Sequence, residues 1–187
     1  MKLVYKGIYK NPEQLDKGVL PENAVMFKEP ETPVQVNIIA SLYAIPALVL
    51  AAAFCVLHRY LYDIGDDNLF TISLWGLLLA LLCVFPHELL HAICFGKKAE
   101  VHMYVIPKQL MAFVYCTAPI SKARFIFLSL LPNLVLGWVP LLIWTLMPPN
   151  YWDSLLFTFA FLSLIFGCGD YMNIANAARQ MPKGSLQ

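Results

Sequence analysis

Residues 69–95 read LFTISLWGLLLALLCVFPHELLHAICF. Crossing a bilayer takes about 20 residues of apolar helix, and up to Pro86 this stretch carries no charged side chain. Then come His87-Glu88-Leu89-Leu90-His91. Side chains four residues apart lie one turn above each other on the same helix face, so His87 and His91 can share one Zn²⁺ at about 2.0–2.1 Å. Glu88 projects beside that face, where it can take a proton from activated water. An ionisable group inside a span costs about 2–3 kcal/mol or more unless it is paired, hydrated or functional. Three within five positions of an apolar helix therefore point to a metal centre with a catalytic base.

The rest of the chain has the composition of a membrane protein. Of 187 residues, 59% are apolar and 13% charged, whereas soluble domains hold about 25% charged residues. A net charge of +1 argues against nucleic acid as a partner, since phosphates need a basic face. Three further apolar stretches are long enough to span, at 36–57, 125–147 and 154–178. A loop at 60–68 follows the first, and Pro148-Pro149-Asn150 turns the chain between the last two. Twelve of the thirteen Lys and Arg lie in the N-terminal segment, in the segment between spans two and three, or after span four; the other two loops hold Arg59 alone. Both termini are therefore expected to be cytoplasmic in a multi-pass protein of the cell membrane. The N-terminus has no apolar run of signal-peptide type.

Between spans two and three, Glu100–Ile106 and 110–117 flank Pro107-Lys108-Gln109 and are rich in Val, Met, Tyr and Phe, which predicts a β-hairpin. The expected architecture is an all-α integral membrane protein of about four transmembrane helices with this small hairpin on its cytoplasmic side. Residues 1–33 form a cytoplasmic tail, 34–178 the membrane core and 179–187 a short C-terminal tail.

A catalytic zinc takes three protein ligands and an open position. The candidates for the third are Asp170, His102, His58 and the cysteines. His87 lies ~27 Å along span two from its outer end and Asp170 ~28 Å along span four, so the two reach one level. His58 stands at the opposite end of the core, and His102 stays open if the hairpin folds back. The five cysteines are odd in number and lack C-x-x-C spacing, which reads as packing. Asn173, one turn after Asp170, is a candidate to orient it or to bind substrate backbone. Asn133, beside Pro132, is a candidate contact for a tetrahedral intermediate. Pro86 is expected to kink span two, and Gly167 and Gly169 to let span four approach span two.

His87-Glu88-Leu89-Leu90-His91 in a span, the hairpin-like segment ending in Ala118-Pro119-Ile120-Ser121-Lys122, and Gly169-Asp170-Tyr171 late in the last span together resemble a bacterial family of zincin peptidases. They are similar, more distantly, to the site-2 intramembrane metalloproteases. The resemblance implies a compact helical core around one Zn²⁺ per chain, with His87, His91 and Asp170 as ligands and Glu88 as base. It also implies a membrane protein or peptide as substrate. The resulting expectation is an intramembrane zinc endopeptidase cutting near the cytoplasmic face, with the hairpin edge holding the unwound substrate as an added strand. Two other classes use the same residues: a membrane metalloenzyme acting on a lipid or another amide or ester, and a non-catalytic metal-binding membrane protein. The last has no need of Glu88.

Overall fold

The computed structural model describes residues 1–19, 21–30, 32–65 and 72–187. The end of the 60–68 loop and the start of span two at 69–71 lie outside the described residues. The order of elements is β1 (Lys2–Ile8), α1 (Pro33–Tyr43), α2 (Ile45–Tyr62), α3 (Leu74–Leu82), α4 (Val84–Ile93), β2 (Glu100–Ile106) and β3 (Met111–Tyr115). Then follow α5 (Lys122–Pro132), a π-helical segment (Asn133–Trp138), α6 (Val139–Leu146), α7 (Asp153–Phe166) and α8 (Cys168–Gln180). The chain is mostly helical. Among the described residues three stretches, Val34–Tyr62, Leu74–Ile93 and Lys122–Leu146, are long and apolar enough to cross a membrane. A fourth exists if α7 and α8, bent by 45°, count as one span.

The prolines account for most of the interruptions. A proline lacks the N–H for its own helical bond and its ring crowds the carbonyl four residues back. Pro46 follows the break at Ala44 between α1 and α2, and Pro86 follows the break at Cys83 between α3 and α4. Pro140 follows the π-helical segment, a widened turn of the kind found where a helix is interrupted. Near Pro86, where a kink is expected, the helix is interrupted at Cys83, three residues ahead of the proline.

Among the described residues the strands form one sheet in the order β1-β2-β3. β2 and β3 are the expected hairpin, antiparallel with Met103 opposite Val114. β1 was not anticipated: Lys2–Ile8 pairs parallel to β2, with Lys2 opposite Glu100 and a register shift between Tyr5 and Gly7. Lys2 Nζ donates to Glu100 at 2.8 Å, and this bond, with a second from His102, holds the Glu100 carboxyl down to about 2. Further along the N-terminal segment, the Tyr104 and Tyr115 hydroxyls donate to the carbonyls of Gln14 and Asp16, both at 2.8 Å. The segment therefore lines the sheet.

Two cores result. Ala51 and Cys55 of α2, Leu141 and Trp144 of α6, and Phe157, Ala160 and Leu164 of α7 pack as one cluster. Ala92 of α4 packs on Ala99 and Val101, with Val114 beside them, and seats the sheet against α4. Leu164 is fully buried. Replacing a buried leucine by alanine typically costs about 2–5 kcal/mol. Leu164→Ala is accordingly expected to lower the unfolding midpoint in detergent micelles while leaving the site residues in place.

His58 is not a partner of His87 or His91. Its Nδ1 faces the Thr145 carbonyl at 3.2 Å, and its ring stacks on Trp144 with centroids 4.1 Å apart. Asp153 Oδ1 lies 3.6 Å from its Nε2, at the end of α7 remote from Asp170. Removal of that buried ring by His58→Ala is expected to lower thermal stability without changing metal content, which unfolding and elemental analysis on one preparation would check.

Candidate metal centre

The site lies where α4, α5 and α8 meet. The α4 helix carries His87, Glu88 and His91 on adjacent faces because 87 and 91 are one turn apart. The α8 helix carries Asp170 in its first turn. His87 Nε2 lies 3.2 Å from Asp170 Oδ2, and His91 Nε2 lies 3.2 Å from Asp170 Oδ1. The two imidazole centroids are 4.9 Å apart, with ring planes at 77°. Glu88, His91 and Asp170 are buried, and His87 is partly open.

These side chains suit a metal. His87, His91 and Asp170 each offer a ligand atom, and the three atoms lie within 4.8 Å of one another. Ligands held tetrahedrally at about 2.0–2.1 Å from zinc stand ~3.3 Å apart, close to the spacing between each imidazole nitrogen and Asp170. The tautomer agrees. A carbonyl can only accept, so His91 Nδ1, 2.8 Å from Leu128 O, carries a proton, and Nε2, which faces Asp170, is the nitrogen left to serve as the ligand atom. One carboxylate and two imidazoles make a donor set that zinc accepts.

Glu88 points the other way, toward the sheet. Its Oε2 accepts from the Val114 N–H at 3.0 Å, so Val114 turns that donor outward from the free edge of β3. Glu88 remains within electrostatic reach of His87, His91 and Asp170. A hydrogen bond to a charged group contributes about 1.5–3 kcal/mol, or about 10–100-fold in a rate it supports. Val114→Pro removes this donor without removing a β2–β3 ladder bond. It is expected to retain metal and lose hydrolysis by that factor, as paired zinc and peptide-cleavage assays would read.

The other residues singled out in the sequence separate clearly. His102 sits on the sheet, 3.2 Å from Asp16 Oδ2 and 3.1 Å from Glu100 Oε1, and does not join the three. Asn133 is fully buried, and its Nδ2 donates to Asp170 Oδ2 at 2.9 Å. It is Asn133, rather than the half-buried Asn173, that reaches Asp170. The atoms nearest a Cβ at Gly167 belong to Asn133, in the helical stretch 122–146, and a Cβ at Gly169 would meet nothing within 4 Å. Sequence reasoning missed the Leu128 carbonyl and the Val114 N–H. Both are backbone groups, and no residue type announces them.

No curated protein and no solved structure compared with the chain matches it. One family model does, over residues 80–186. That is more than half of the chain, and it takes in α4 with His87, Glu88 and His91, the β2–β3 hairpin, Asn133 and Asp170. By that match the chain belongs to the family described as "Putative zincin peptidase".

Proposed function

We propose that this protein is a zinc-dependent intramembrane endopeptidase that cuts membrane-associated peptide or protein substrates near the cytoplasmic face. The observation that carries the reading is the meeting of three donor atoms from α4 and α8 within 4.8 Å, with a buried carboxylate one residue from the first of them. Family membership supports zinc and peptide hydrolysis. The apolar helices support a membrane setting.

In this scheme His87, His91 and Asp170 hold one Zn²⁺ per chain. Zinc, when bound, supplies Lewis acidity that polarises a carbonyl oxygen and acidifies water. Glu88 takes the proton from the attacking water and passes it to the leaving amine. The Val114 N–H holds the Glu88 carboxylate in place between these two transfers. A helical substrate has its peptide groups bonded internally, so it must unwind before it can be cut. The outer edge of β3, beside Glu88, offers main-chain groups to an extended segment.

The Lys and Arg distribution supports a multi-pass arrangement with both termini in the cytoplasm, which places the site toward that side. The test is hydrolysis of a peptide containing an apolar segment by the full chain in liposomes. Cleavage that a chelator abolishes and added zinc restores is the expected result. Zinc-independent cleavage, or none across a broad set of such peptides, would count against the reading.

A further inference from the structure

We infer that Asn133 is the residue that positions Asp170, and that Gly167 exists in this sequence to seat the Asn133 carboxamide. The inference rests on the metal centre proposed above and assigns what holds its carboxylate ligand in register.

The geometry at the crossing of the third and fourth spans is unusually close. A Cβ at residue 167 would overlap Asn133 Oδ1 and would lie 2.5 Å from Cγ and 2.6 Å from Nδ2. The whole amide group therefore occupies the space that a side chain at 167 would fill. Four residues on, the relation is reversed: a Cβ at Gly137 would overlap Leu164 Cδ2 and lie 2.8 Å from Leu164 Cγ. Asn133 and Gly137 are four apart on the π-helical segment, while Leu164 and Gly167 are three apart at the junction of α7 and α8. Each segment thus offers one knob and one notch. The Leu164–Gly137 pair holds α7 against the third span, whereas the Asn133–Gly167 pair sets the start of α8, and Asp170 is three residues beyond Gly167.

Packing alone does not explain an asparagine here. Its Oδ1 is buried and has no hydrogen-bond partner among the described residues, and a half-satisfied buried amide is a liability that an apolar side chain of similar size would avoid. Its one side-chain hydrogen bond among the described residues goes to Asp170 Oδ2. That bond fixes the rotation of the carboxylate, which sets one oxygen opposite His87 and the other opposite His91. A neutral amide does so without adding a charge that would compete with a cation, as Lys or Arg would.

The experiment measures zinc affinity of the full chain in micelles by competition with a chelating dye, alongside thermal unfolding. Groups that orient metal ligands typically contribute about 10–100-fold in affinity, so Asn133→Ala and Gly167→Ala are each expected to weaken zinc by that factor. Combining them should do no more than Asn133→Ala alone, because the Cβ at 167 then meets empty space. Gly137→Ala disturbs the same helix crossing through Leu164 only and should lower the unfolding midpoint while zinc affinity stays at the wild-type value. Asn133→Leu, which refills the notch without a donor, serves where Asn133→Ala does not fold. Wild-type affinity in the Asn133 variants overturns the inference. So does a further loss from Gly167→Ala in the Asn133→Ala background, or an equal loss from Gly137→Ala. A wild type that binds no zinc at all overturns the metal centre itself, and the inference falls with it.

Discussion

Glu88→Gln is expected to keep its zinc and to lose peptide hydrolysis by about 10²–10⁴-fold, the usual contribution of a positioned general base. The substitution nearly preserves shape. A glutamine at 88 still presents an oxygen that can accept from the Val114 N–H, 3.0 Å away in the wild type. It also leaves His87, His91 and Asp170 untouched. What it removes is the ability to take a proton, because an amide has no basic oxygen at neutral pH. Zinc content and cleavage of a liposome-embedded peptide, measured on one preparation, separate the outcomes. Turnover at the wild-type rate would take the role of base away from Glu88. Loss of zinc would make it a structural or ligating carboxylate instead.

Asp170→Asn should show the complementary pattern. The carboxylate faces both imidazoles at 3.2 Å and is buried, so its charge has little water to replace the cation's company. Asparagine keeps the shape and can keep a bond with Asn133, yet it offers a neutral and weaker donor to zinc. The loss of affinity should therefore exceed the about 10–100-fold typical of residues that only orient a ligand. Catalysis should fall with zinc occupancy rather than independently of it. An Asp170→Asn protein with wild-type zinc affinity would place the third ligand elsewhere.

How much of this was legible in the sequence differs by residue. His87, Glu88 and His91 declare themselves because their relation is local: helix periodicity alone puts them together. Asp170 is 79 positions beyond His91, and counting helical rise along two spans that run in the same direction was enough to bring it to the right level. That count could not say which asparagine attends it, since Asn133 and Asn173 differ in helix rotation and in the widened turn after Pro132. Nor could it find Asn133 as the nearest neighbour of Gly167, for the same reason: depth in a bilayer is additive along the chain, whereas the pairing of helix faces is not. The β2–β3 hairpin followed from its β-rich runs about a proline turn. β1 did not, because a short edge strand parallel to a partner far along the chain carries no turn signal of its own.

The most direct measurement is zinc content of the purified full chain beside His91→Ala and Asp170→Ala, taken by elemental analysis after removal of loosely bound metal. Close to one zinc per wild-type chain, and little in either variant, is the result expected of two imidazoles and one carboxylate closing on a single cation. A wild type that emerges without metal, or variants that hold as much as it does, would contradict it.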